Sequence, residues 1–262
     1  MEKSEILAKY PFRAFVDNFH RLNNVLDLSI TGIQNISASV PLAQALADLP
    51  LQIKQEISDG EFDPDDDAKS VKRSEELADL AKVEINTGFN LLHSQALITH
   101  WGALESLVFN IAVTRIRLDD AVLKNDYLKK IKIPLADFHR LDVDDRLDLL
   151  VQEMIREKRA EFKPGVGKFE AILEEINLSG QVGDDTRKKL YELSKVRNVL
   201  VHRSGIVDIK LLEDCPWLDY EVGKSVVIDR EKYSKYLTAV IAYLTLLIKR
   251  VRKLHGLSEG GA

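Results

Sequence analysis

Apolar residues recur at steps of three and four along most of this chain, a spacing that predicts helices. Phe12, Phe15, Phe19, Leu22 and Leu26 mark one amphipathic helix near the N-terminus. Leu97, Trp101, Leu104, Val108 and Ile111 form the clearest buried seam, inside a long helical segment from Lys69 to Leu118. Gly88 and Gly102 fall within that segment and predict close helix approach. Asp144 predicts a cap for a helix running to about Lys158, and Phe169 to Ile176 a short one. Leu190, Leu193, Val196, Leu200 and Val201 supply a buried stripe for a helix capped by Asp184 and Asp185. Gly205 stops it, because glycine adopts positive φ without cost. The last helix, Tyr233 to Leu254 behind a cap at Asp229, carries Leu237, Val240, Ile241, Leu244, Leu247, Ile248 and Val251 on its apolar face.

Two short runs, Ile206 to Ile209 and Ser225 to Ile228, read instead as strands. Their turns lie at Cys215-Pro216-Trp217-Leu218 and Glu221-Val222-Gly223-Lys224. The fold class is therefore all-α: an antiparallel helical bundle with a small β-hairpin inserted before the last helix. Helical breaks are expected at Pro11, Gly32, Pro41 and Pro50. From Ser58 to Asp67 there are six carboxylates and no base, with Gly60 and Pro64, which predicts an exposed acidic loop. It fails as a calcium loop, since Ala68 and Ser74 stand where glycine and glutamate are needed. The chain thus divides into a helical extension with an acidic linker, residues 1–75, and a main helical domain, residues 76–257.

The composition, 45% hydrophobic and 30% charged, is that of a soluble globular protein. The apolar run from Tyr236 to Val251 is too short and too polar to span a bilayer, and the N-terminus shows no apolar signal region. A cytoplasmic protein with no membrane partner is expected. Cys215 is the single cysteine, which rules out an internal disulfide or a multi-cysteine zinc site and predicts a packed small residue. His93 and His100 are seven apart rather than the four usual for a helical metal pair, and read as buried hydrogen-bonding residues. Pro164-Gly165-Val166-Gly167 lacks the spacing of a phosphate loop and reads as a turn. No metal or cofactor constellation emerges.

Charge sharpens one region. The net charge is −5, yet Thr186 to Arg203 holds Arg187, Lys188, Lys189, Lys195, Arg197 and Arg203 against the single acid Glu192. A basic helix on an acidic body suits a phosphate-bearing ligand at one place. Within it Asn198 and His202, four apart, share a helix face, whereas Arg197 and His202 diverge by about 140°. Metal-free RNA cleavage needs a proton acceptor for the ribose 2′-OH, a proton donor for the leaving oxygen and a cation for the phosphorane. Histidine serves the first two and arginine the third. One histidine does not serve both proton roles in a single step, so a symmetric dimer would supply the partner.

Arg197-Asn198-x3-His202 resembles the Arg-polar-x3-His motif of HEPN domains, the nucleotide-binding helical domains of higher eukaryotes and prokaryotes. The surroundings extend the resemblance: Leu193-Ser194-Lys195-Val196 before the motif, Gly205-Ile206-Val207-Asp208 after it, then Cys215-Pro216-Trp217-Leu218 and the apolar last helix. Upstream, Ala103-Leu104-Glu105 and Asp145-Arg146-Leu147-Asp148-Leu149-Leu150 are also similar, so about Asn86 to Leu254 is covered. The resemblance implies a homodimeric bundle whose two motifs meet in a cleft, and a metal-independent endoribonuclease of a prokaryotic defence or toxin type. Arg197 and His202 match the catalytic pair and Asn198 the polar residue that orients them. Lys188, Lys189, Lys195 and Arg203 would bind RNA, and Glu105 is the candidate orienting acid, for a buried arginine. An antitoxin or activator protein would be a further partner. Other members of the family keep the fold without cutting RNA, which leaves a non-catalytic dimerisation module for a nucleotide, an RNA or a partner protein as the alternative.

Overall fold

The structure is a computed structural model that describes residues 3–50, 53–54, 64–158 and 162–254. Among these residues the protein is all-α. The helices are α1 (Lys3–Asn35), α2 (Ser39–Ala47), α3 (Pro64–Asn86), α4 (Asn90–Leu118), α5 (Leu135–Arg140), α6 (Val143–Lys158), α7 (Val166–Glu174), α8 (Asp184–His202), α9 (Ile209–Asp214) and α10 (Arg230–Leu254). The described chain forms two compact units, one of residues 1–21, 97–226 and 232–262, the other of residues 22–96 and 227–231. Their boundaries fall within α1, within α4, between Val226 and Val227, and within α10.

In the smaller unit α2 packs along α3. Pro64 opens α3, with Asp65, Asp66 and Asp67 in its first turn. Proline loses nothing at that position, and the acids complement the positive end of the helix dipole. This corrects the expected loop over its last residues; Ser58 to Asp63 lie outside the described residues. Lys54 ties the start of α3 down by pairing with Asp67 and donating to the Ala47 carbonyl at 2.6 Å. The expected single segment from Lys69 to Leu118 is two helices. Gly88 and Phe89 both take positive φ, 66° and 61°, and turn the chain between α3 and α4.

The larger unit is built on the α4 seam. Leu97, Leu104, Val108 and Ile111 are fully buried and Trp101 nearly so. Trp101 lies 5.2 Å from the Phe169 ring of α7, which stacks at 6.0 Å on Tyr243 of α10. By length and composition α4 could cross a membrane, yet its seam lines this core. Pro11 sits inside α1 without ending it. It costs one backbone bond, and the surrounding turn is held by the buried Phe12 and Phe15. Gly32 and Pro41 likewise lie inside helices. A Cβ at Gly102 would meet nothing within 4 Å, so this glycine does not mediate close helix approach.

On α10 the buried face is Tyr233, Tyr236, Val240, Tyr243, Leu247 and Val251, while Ile241 is exposed. The two deepest tyrosines tolerate burial because each hydroxyl meets a carboxylate: Tyr236 donates to Glu192 at 2.6 Å, Tyr243 to Glu170 at 2.7 Å. Burial and those carboxylates push both phenols far above their ordinary range.

The expected β-hairpin does not form. Among the described residues no strand forms: the two runs are linked by one antiparallel bridge, Ile206 with Ser225, and by backbone N–H groups of Val207, Gly223 and Val226 donating to the Lys224, Val207 and Gly205 carbonyls. The first run is cut short because the Asp208 side chain accepts from the Leu211 N–H at 2.9 Å and starts α9. The second ends because the Ile228 N–H donates to the Asn90 side chain at 2.6 Å instead of to a strand.

Candidate functional site

Helix α8 is held by its buried stripe of Leu190, Leu193, Val196 and Val199. Leu200 is half-buried, and Val201, expected inside, is 41% exposed in the last turn. Asp184 and Asp185 occupy the first turn rather than the cap, which is Gly183. At the other end Arg203 and Gly205 N–H groups both donate to the Val199 carbonyl, with φ of 53° at Ser204 and 75° at Gly205. The helix therefore stops just past His202.

Arg187, Lys188, Tyr191, Lys195, Asn198 and His202 follow one another at steps of one, three and four, so they share one face of α8. At its C-terminal end that face borders a cavity of about 280 Å³, lined by Asn198 and His202 with Lys195, Arg203, Asp208 and Lys210. His202 is exposed and, among the described residues, has no hydrogen-bond partner. Asp142 also proves the true cap of α6, accepting from the Asp144 and Asp145 N–H groups at 2.9 Å each.

The predicted site residues separate by geometry. Arg197 does not line the His202 cavity. Its Nη1 lies 3.4 Å from the Asn198 side-chain oxygen, and its Nε is buried with no partner. Lys195 lines the cavity but is neutralised by Asp214 at 2.6 Å. Burial alone would lower its pKa; the Asp214 bond, together with the charges of Tyr191, Asp214 and Cys215, outweighs that and raises it, so it stays charged. Arg203 faces Asp208 at 3.6 Å and remains largely exposed. Lys189 pairs with Asp185 at 2.8 Å within the helix, and Lys188 lies 4.4 Å over the Trp217 ring. Glu105 accepts from the Trp101 indole at 3.1 Å and from Lys168 at 2.9 Å. Its partners are thus an indole and a lysine, not the buried arginine expected, and it does not line the cavity.

Three participants were not read from the sequence. Asp208, Lys210 and Asp214 come from α9 and its cap, a helix the strand reading hid. Glu192 is the buried hub of α8: it accepts from Trp217 at 2.7 Å, from Tyr236 and from Lys235. Burial opposes its ionisation, but these three donors outweigh it and hold the carboxyl below its ordinary range. Its place as the one acid on a buried basic-helix stripe is the signal that marks it. Cys215 is fully buried, and burial, with Glu192 and Asp214 nearby, lifts its thiol to about 11. It is chemically quiet at neutral pH. Among the described residues no group of three His, Cys, Asp or Glu side chains could hold a metal ion.

The chain matches no protein-family model, no curated protein and no solved structure.

Proposed function

We propose that this protein is a HEPN-like, metal-independent endoribonuclease that acts in the cytoplasm as a homodimer, of a defence or toxin type. The observation that carries the reading is His202: an exposed imidazole without a hydrogen-bond partner, beside Asn198, on a cavity edged by Lys195, Arg203 and Lys210. In this reading RNA lies along the cavity with a phosphate against Arg203 and Lys210, the Lys195 charge being met by Asp214. His202 takes the 2′-OH proton as that oxygen attacks phosphorus, and in the following step, as the phosphorane collapses, the same imidazolium gives that proton to the departing 5′-oxygen. Arginine stabilises the phosphorane, and the cut leaves a 2′,3′-cyclic phosphate and a 5′-OH.

A second copy also answers the divergence of Arg197 from His202. Val201, Ile206 and Ile209, the last 63% exposed, lie within seven residues of His202 along the chain and fit an interface that would bring two motifs together. Because Arg197 and His202 do not share a cavity within one chain, a non-catalytic dimerisation or partner-binding module is the second reading.

Incubation of the purified protein with total RNA in excess EDTA, with the new ends mapped, separates the two. Cleavage is expected to persist in chelator and to fall at least 100-fold, on the scale of one lost acid–base group, in His202→Ala and Arg197→Ala. Cleavage retained in both variants, or none by the parent chain, removes the ribonuclease reading.

A further inference from the structure

The N-terminal half of α8 borders a second cavity, of about 550 Å³, which shares no lining residue with the His202 cavity. Its volume lies within the roughly 300–1,000 Å³ range of sites for small organic ligands. The lining is mainly apolar, from Pro164, Val166, Val182, Tyr191 and Trp217. The wall is fixed by contact: a Cβ at Gly165 would meet the Tyr191 backbone at 2.7 Å, so the Pro164–Gly167 turn lies hard against α8. Trp217, 43% exposed, is oriented by its indole bond to the buried Glu192 at 2.7 Å.

Three basic side chains, Lys163, Arg187 and Lys188, reach the same cavity. Its two acids are already engaged. Glu170 accepts from Arg250 at 2.8 Å, Tyr243 at 2.7 Å and the Gly180 N–H at 2.8 Å. Asp184 faces Arg187 at 3.6 Å, and that guanidinium also donates to the Val182 carbonyl at 2.9 Å. Among the described residues neither Lys163 nor Lys188 is ion-paired; the Lys188 ammonium lies 4.4 Å over the Trp217 ring, and both stand beside an aromatic and aliphatic chamber. A neutral ring would fill the chamber and leave the two ammonium groups without an ion pair; a small anion without a ring would leave the apolar lining wet.

We infer that this cavity binds a flat aromatic molecule carrying one anionic group, its ring among Tyr191, Trp217 and Val182 and its anion at Lys163 and Lys188. The inference is independent of the ribonuclease reading.

The test uses a matched pair of probes, 2-naphthoate and neutral 2-naphthamide, titrated into the full ¹⁵N-labelled chain. The protein has two tryptophans, and Trp101 is 4% exposed, so the two indole N–H signals report separately; Trp217→Phe assigns them. The expected result is a saturable shift of the Trp217 signal with little change at Trp101, and naphthoate at least about tenfold tighter than naphthamide. Lys163→Gln with Lys188→Gln should bring naphthoate down to the naphthamide affinity and leave naphthamide within about twofold. Equal affinity of the two probes for the parent chain overturns the inference, as does a Trp217 signal that neither probe moves, or naphthoate binding undiminished in the double variant. Should the double variant bind neither probe, the ratio measured on the parent chain decides.

Discussion

At the scale of single residues, the most consequential side chains are polar ones buried with their partners. His100 in α4 is 1% exposed, with Nε2 3.1 Å from the Tyr233 hydroxyl and the Phe19 ring 4.7 Å away. Burial drops its pKa from 6.5 to about 4. His93 is shifted in the same direction, again first by burial. The sign follows directly. Between pH 6.5 and about 4 the unfolded chain binds a proton at His100 that the folded chain refuses, so stability falls as the pH falls through that window. A shift of this size corresponds to about 3 kcal/mol across the whole window. Urea unfolding at pH 7 and pH 4.5 should therefore show a smaller acid loss in His100→Gln than in the parent chain, the amide still reaching Tyr233. Identical acid losses in the two proteins would sink the assignment. Glu192 acts oppositely. Its carboxyl is held below 4.5, so its three donors favour the folded state above that pH and lose their grip as the pH falls below it.

At the scale of elements, two glycines, one just past the end of α8 and one inside α4, play contrary parts. Gly205, at φ 75°, ends α8, and a Cβ there would have room, its nearest neighbour being Leu200 at 3.7 Å. The cost of Gly205→Ala is therefore backbone strain, about 1 kcal/mol of destabilisation. Gly102 lies inside α4 with nothing within 4 Å of a Cβ, so Gly102→Ala should stabilise by about 1 kcal/mol. Thermal unfolding of the two variants in parallel checks the opposite signs; the same sign for both contradicts the account. Element by element, the α4 seam was legible because its 3.6-residue period runs unbroken through fully buried positions. The α10 face was only half legible: Tyr236 and Tyr243 are polar by type, and nothing local announces that Glu192 and Glu170 wait for their hydroxyls. The hairpin failed for a local reason of comparable size. Ile206 to Ile209 has the composition of a strand, but one Asp208 side-chain bond to Leu211 was enough to start a helix. The motif spacing on α8 could be read from sequence; the cavity walls from α9 could not, since they depend on that capping bond.

At the scale of the whole molecule, the ribonuclease reading turns on whether two copies complete one site. Within a chain Arg197 lies off the cavity that His202 edges. A symmetric dimer that apposes the two motifs lets the arginine of each copy serve the histidine of the other. That arrangement makes a prediction a self-contained site does not. Arg197→Ala and His202→Ala homodimers should each be inactive, because every site lacks one of the two groups. In a mixed dimer one site lacks both groups and the other has both. Random re-association at equal amounts makes half the dimers mixed, so about one quarter of the parent activity should return. If each chain instead completed its own site, the mixed dimer would hold one site without arginine and one without histidine, and nothing would return at any ratio. The measurement is RNA cleavage in EDTA after the two variants are co-refolded, with tagged copies confirming that mixed dimers have formed. Ile209→Glu, at an apolar side chain that is 63% exposed, should abolish both the dimer and the rescue. Rescue that survives in a monomer would remove the shared site while leaving the chemistry of His202 intact.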